Sequence, residues 1–215
     1  MRIIDFSPFA FHTQGMNLAD RLTFLRVILT PLFFVVYFLS KYEWFPVLWA
    51  VVLLWVIFIV AEITDMLDGM AARRLNQTSD FGKLFDPFAD TLMQITCFFC
   101  FVIDGIFPAF LFLVVLYREF GILLIRNLML KKGIAMGARI GGKIKTVTHI
   151  IAAALALFYV SLHRLGVDVS FQADVSLQKI FEIAAVAVFA VSVFFSVWSF
   201  IDYLIVYRKQ QGNKI

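Results

Sequence analysis

Four aspartates, Asp65, Asp68, Asp86 and Asp90, fall within 26 positions of a chain that is 62% hydrophobic. Asp65 and Asp68 are three apart and Asp86 and Asp90 four apart, so each pair shares one helix face. Acids inside a membrane are costly and face a polar cavity or a partner. Four of them close together repel one another unless a cation sits between, and carboxylate oxygens suit hard divalent ions such as Mg²⁺, Mn²⁺ or Ca²⁺. Gly69 and Gly82 remove side chains on either side of the acids, and Ala72 extends the small surface, so a bulky ligand can approach the backbone. Arg73 lies about two turns beyond Asp65 and offers a planar cation suited to phosphate oxygens. Metal ligands, space and a phosphate clamp together equip a site for phosphoryl transfer. One carboxylate is then available to deprotonate an attacking hydroxyl. The alternative is a cation-coupled transporter with acids along its path, which has no need of Gly69, Ala72, Arg73 and Gly82 at fixed offsets.

These residues need helices to place them. Only 16% of the 215 residues are charged and 26 are Phe, whereas soluble domains carry about a quarter charged residues. An all-α integral membrane protein with six transmembrane helices is expected. A bilayer core takes about 20 apolar residues of helix. The runs give spans near 22–40, 45–64, 83–103, 108–130, 143–162 and 179–207, the second continuing to Leu75. A short interfacial helix from Met16 to Leu25 is expected to lead into the first span. Asn76 to Asp80 reads as a polar turn that makes spans two and three antiparallel neighbours, so that the two acid pairs face each other. Pro87 suits the first turn of a helix. Lys131 to Gly142 reads as a basic, glycine-rich loop, with Lys131, Lys132 and Arg139 as interfacial anchors. Residues 1–15 read as an N-terminal extension and 16–215 as one membrane domain.

Of the 19 Lys and Arg, all but Lys41, Arg164 and Lys179 fall on one side. The positive-inside rule puts that side, the termini and the acidic stretch in the cytoplasm. A net charge of +4 gives no reason to expect nucleic acid as a partner. Cys97 and Cys100 read as buried thiols, and His149 as a packed or hydrogen-bonded histidine. Trp44, Trp49, Trp55 and Trp198 read as span-end or lipid-facing aromatics.

The stretch from Asp65 to Asp90 resembles the signature of the CDP-alcohol phosphotransferase family, Asp-x2-Asp-Gly-x2-Ala-Arg-x8-Gly-x3-Asp-x3-Asp, at every defined position. The resemblance implies a homodimer of six-span protomers in a bacterial inner membrane, a CDP-linked lipid donor, CMP as leaving group, and two divalent ions, Mg²⁺ or Mn²⁺. By position, it implies that Asp65, Asp68, Asp86 and Asp90 hold the metals and that Asp90 is also the general base. It implies that Gly69, Arg73 and Ser79 contact the nucleotide diphosphate, with Ala72 and Gly82 completing the donor site.

Within the family, the chain is most similar to the phosphatidylglycerophosphate synthases. The likeness is carried by Met16 to Arg26, Phe81 to Asp90, Arg118-Glu119-Phe120, Arg126, and Gly142 to Thr146. It implies CDP-diacylglycerol as donor and sn-glycerol 3-phosphate as acceptor. Arg118 and Arg126 are eight apart on one face of an apolar span, and Lys143 and Lys145 open the next span on the same membrane side. Together they form a candidate acceptor-phosphate pocket. Other acceptors within the family are inositol phosphate and phosphatidylglycerol. There are three departures from the pattern: Ala19-Asp20 stands where many relatives carry Pro-Asn, Thr91 replaces a Lys often found after the last Asp, and the first fifteen residues are additional.

Overall fold

The computed structural model describes residues 18–42, 44–75, 80–131, 140–167, 170–171 and 175–212. Six helices run in chain order: α1 Leu18–Lys41, α2 Val47–Leu75, α3 Asp80–Ile103, α4 Ala109–Lys131, α5 Ile140–Arg164 and α6 Leu177–Gly212. Between α5 and α6, β1 (Ser170–Phe171) pairs antiparallel with β2 (Val175–Ser176), in the segment between the fifth and sixth apolar runs. The extension 1–15, the turn 76–79 and the basic segment 132–139 lie outside the described residues.

Five helices are long and apolar enough to cross a membrane. The other, α4, carries Arg118, Glu119 and Arg126 in its interior, which lowers its hydropathy without shortening it. Its 23 residues reach roughly 34 Å at about 1.5 Å per residue. Connectivity requires it to cross. Lys145 near the start of α5 bonds Gln94, just past the middle of α3, while Arg164 at the end of α5 pairs with Asp104 just past the end of α3. The two helices therefore run parallel, and α4 must carry the chain back between them.

Two expectations need correction. The interfacial helix is not a separate element among the described residues: from Leu18 the chain runs unbroken into the first span, because no glycine or proline interrupts the turns before Pro31. Pro87 lies inside α3 rather than in its first turn, since α3 begins at Asp80; there its ring removes one helical hydrogen bond close to the acids.

α5 packs along α6, α1 packs against α2 and α3, and α4 leans on α6 and α3. The core between them is aromatic, with Phe107 stacked on Phe189 at 4.0 Å and Phe98 edge-on to Phe189 at 5.0 Å. Outward positions of α2 such as Leu48, Val52, Val56, Ile59 and Ile63 are exposed and apolar, as on a helix whose outer face meets lipid. Trp44, Trp49 and Trp198 are exposed, but Trp55 is half-buried and donates its indole N–H to Ser161 Oγ at 3.0 Å. Cys97 and Cys100 are buried free thiols.

At the end away from the acidic stretch, α3 and α5 stop in the same way. Gly105 (φ 75°) and Gly166 (φ 65°) adopt left-handed backbone. Gly105 N donates to Val102 O and Ile106 N to Phe101 O; Gly166 N donates to His163 O and Val167 N to Leu162 O. These are Schellman caps, which return the last helical carbonyls to a donor. Asp104 sits beside them and joins three helices. It pairs with Lys41 at 2.7 Å and Arg164 at 3.0 Å, and accepts from Tyr37 OH at 2.5 Å. The Arg164 guanidinium also lies over the Tyr37 ring, 4.1 Å from its centroid. Burial of the Asp104 carboxyl favours its neutral form, but hydrogen bonds from Lys41 and Tyr37 and the Arg164 charge outweigh that and hold its pKa below the usual carboxylate range.

Candidate active site

The acids gather where α2 and α3 meet α1. Arg26 on α1 is only 1% exposed, and a buried guanidinium needs a counter-charge. It finds one in Asp65, with Nη1 3.1 Å from Oδ1. The Arg26 charge also acts on Glu62, Asp86 and Asp90. One turn before Arg26, Thr23 donates its hydroxyl to Asp86. A cavity of about 30 Å³ opens among Arg26, Glu62, Asp65, Asp90, Gln94 and His149. That is room for about one water-sized occupant.

Asp65, Asp86 and Asp90 are thus brought to the same end of the bundle, around Arg26. Asp68, Gly69, Ala72 and Arg73 continue α2 and Gly82 lies in the first turn of α3, but their side-chain surroundings are outside the described set, and Ser79 lies outside the described residues altogether. Among the described residues, no three His, Cys, Asp or Glu converge on one point. The acids nonetheless fit divalent ions by chemistry, because Asp65 and Asp90 present hard oxygen donors to a shared cavity and Asp86 lies one turn from Asp90.

A second cavity, of about 170 Å³, lies on the other side of Asp90. Arg118 and Arg126 reach it from α4 and Lys143 and Lys145 from α5, with Tyr203 closing it from α6. These are the four cations that the sequence offers as an acceptor-phosphate pocket, and all four line this one cavity. Arg118 and Lys145 are buried and share Glu119: Arg118 Nη1 is 2.7 Å and Lys145 Nζ 2.8 Å from its Oε1. Arg118 also donates to Ser196 O and Ser199 Oγ on α6, each at 3.1 Å. Arg126 bonds Tyr203 OH at 3.2 Å and lies 5.6 Å from its ring centroid. Gly121 lets α6 come this near, since a Cβ there would meet the Phe200 ring at 2.9 Å. Four cations against Glu119 and Asp90 leave the cavity net positive, which draws anions.

Asp90 and Thr146 line both cavities. The acidic cavity and the cationic one therefore adjoin at a single carboxylate.

Several of these residues carry no role in the sequence reading. Thr23 and Arg26 sit three apart on α1, and Glu62 sits three before Asp65, so helical periodicity puts Thr23 on the face of Arg26 and Glu62 on the face of Asp65. Gln94 lies one turn beyond Asp90 by the same spacing. His149 is buried between Gln94 and Ser196 Oγ, the latter at 3.3 Å, with Phe98 edge-on at 5.1 Å, a hydrogen-bonded histidine as expected.

Residues 16–198 match the family model described as CDP-alcohol phosphatidyltransferase. Among curated proteins, the chain is 40% identical over 157 residues to the CDP-diacylglycerol–glycerol-3-phosphate 3-phosphatidyltransferase of Treponema pallidum, covering 69% of this chain and 71% of that one. It is 33% identical over 152 residues to the Bacillus subtilis protein of the same name, covering 66% and 77%. It is 30% identical over 193 residues to that of Salmonella typhimurium, covering 87% and 93%.

Proposed function

The chain belongs to the CDP-alcohol phosphatidyltransferase family, and from that premise we propose that it moves a phosphatidyl group from CDP-diacylglycerol to sn-glycerol 3-phosphate, giving phosphatidylglycerophosphate and CMP. The observation that carries the reading is the position of Asp90, shared by an acidic cavity with Asp65 and a cationic cavity with Arg118, Arg126, Lys143 and Lys145. The names of the relatives from three bacteria agree with it.

In this mechanism the cationic cavity binds the phosphate of the acceptor and turns its primary hydroxyl towards Asp90. Asp90 accepts the hydroxyl proton. The oxygen so freed bonds to the phosphorus that carries diacylglycerol, and the bond from that phosphorus to the bridging oxygen breaks. The electron pair leaves with CMP. Gly69, Ala72, Arg73, Ser79 and Gly82 contact the donor nucleotide, with the Arg73 guanidinium on its phosphates. Asp65, Asp68, Asp86 and Asp90 would hold two divalent ions, Mg²⁺ or Mn²⁺, which would supply positive charge to offset what develops on the diphosphate. Arg26 keeps the acids from repelling one another while the donor is absent. The protein works as a homodimer in the bacterial inner membrane, with this end of the bundle at the cytoplasmic face, where water-soluble acceptor and CMP exchange. Residues 16–215 form the catalytic domain and 1–15 an extension to it.

The test is CMP release by purified protein in lipid nanodiscs. Release that requires CDP-diacylglycerol, glycerol 3-phosphate and a divalent ion together is expected. Release with inositol phosphate, serine or phosphatidylglycerol in place of glycerol 3-phosphate overturns the acceptor. No release with any of them overturns the enzyme reading.

A further inference from the structure

Between the two cavities lies a chain of hydrogen bonds that the reaction as described does not use. We infer that Gln94 and His149 are positioning residues, which hold the Lys145 ammonium towards the acceptor cavity; the inference rests on the acceptor reading above. Lys145 has three N–H donors. One goes to Glu119 at 2.8 Å and one to Gln94 Oε1 at 3.1 Å. The third is left to the cavity that Lys145 lines beside Asp90. The direction of that third donor depends on both anchors, because an ammonium on a four-carbon stem has no orientation of its own.

Glu119 is fixed by Arg118, but Gln94 is an amide and can turn end for end. What stops it is His149. With Gln94 Oε1 accepting from Lys145, its NH₂ faces His149 Nδ1. A proton on Nδ1 would set donor against donor, so the ring is neutral and carries its proton on Nε2. That Nε2–H reaches Ser196 Oγ at 3.3 Å. Ser196 is also the residue whose carbonyl accepts from Arg118 Nε. The chain therefore closes on itself, from Ser196 through His149, Gln94, Lys145, Glu119 and Arg118 back to Ser196. Four helices supply its members, and Lys145 and His149 are both buried. A closed polar ring of this kind has few alternative arrangements. It fixes the amide, and the amide fixes the ammonium.

The test is steady-state CMP release with each substrate varied in turn. In Gln94→Leu the Michaelis constant for glycerol 3-phosphate rises about tenfold or more, the size of one hydrogen bond to a charged group. The constant for CDP-diacylglycerol stays at its parent value and kcat changes less. His149→Leu gives the same split. His149→Asn returns an amide oxygen beside Gln94 and recovers most of the affinity. A purely structural role would move both Michaelis constants and kcat together, in step with melting temperature. Unchanged acceptor constants in Gln94→Leu and His149→Leu overturn the inference, as does no recovery in His149→Asn. Should Gln94→Leu fail to fold, the two His149 variants decide alone. If the parent protein uses another phosphorylated alcohol, the acceptor reading falls, and the same constants measured with that alcohol decide the positioning role.

Discussion

Glu119 is a single carboxylate with two buried cations on one oxygen, and its removal has a calculable cost. Arg118 and Lys145 are 6% and 5% exposed, and Glu119 is 5% exposed, so water cannot take its place. Removing one partner of a buried ion pair costs about 3–5 kcal/mol, because the remaining charge keeps its desolvation penalty. Glu119→Ala strands two charges, though Arg118 retains Ser196 and Ser199 and Lys145 retains Gln94, which keeps the loss near the lower end of that range. The variant also removes one of the two carboxylates in the cavity wall, leaving Asp90 against four cations, and opens Arg118 and Lys145 to an outside anion. Glycerol 3-phosphate should therefore stabilise Glu119→Ala more than it stabilises the parent. A ligand at 100 times its dissociation constant adds about 2.7 kcal/mol, enough to recover most of the loss. The assay is thermal unfolding in detergent micelles across a glycerol 3-phosphate series, with glycerol as the uncharged control. A variant as stable as the parent, or one that the anion stabilises no further, would refute the view that Glu119 balances this pair.

Three further outcomes follow from the geometry. Asp90→Asn should lower turnover by about 10²–10⁴, the range for loss of a general base, while CDP-diacylglycerol still binds in a ligand-retention assay; normal turnover would remove Asp90 from the proton transfer. Asp104 has a depressed pKa in the folded protein, so its contribution is present in full above the unfolded value of about 3.9 and is lost as pH falls through the lower folded value; a melting-temperature profile from neutral to acid pH should lose this limb in Asp104→Asn. Gly105→Ala meets no atom within 4 Å but forces a side chain onto φ 75°, a backbone cost of about 1–2 kcal/mol, visible as a lower melting temperature with unchanged turnover.

The spacing of the eight motif residues and the lengths of the apolar runs were enough to read a six-helix membrane enzyme and to put Asp65, Asp86 and Asp90 at one end of it. The four cations were also legible, since Arg118 and Arg126 break an apolar span at a spacing that keeps them on one face. What could not be read is which faces meet. Arg26 and Asp65 are far apart in sequence, and nothing in the composition of α1 says that it rotates Arg26 inward against α2. The same holds for Ser196 and Ser199, which look like ordinary small residues in a long apolar helix until α6 packs on α4. The separate interfacial helix was expected because polar residues alternate between Met16 and Leu25. Nothing local breaks the chain there, and α1 continues through it. Pro87 reads as a first-turn residue because the apolar run starts the span near 83, but the helix begins at Asp80, seven residues before the proline.

The fastening at Asp104 has a mechanical consequence. It ties α1, α3 and α5 together through one carboxylate, whereas near Asp90 the described links join these helices in pairs, Thr23 to Asp86 between α1 and α3 and Gln94 to Lys145 between α3 and α5. The Asp104 fastening thus acts as the pin about which the other ends can tilt. A helix of 24 residues is roughly 36 Å long, so a tilt of about 4° at the pin swings the other tip by about 2.5 Å. That is enough to widen the seam between neighbouring helices for a hydrocarbon tail to slide in from the side, with the core beside the pin left almost still.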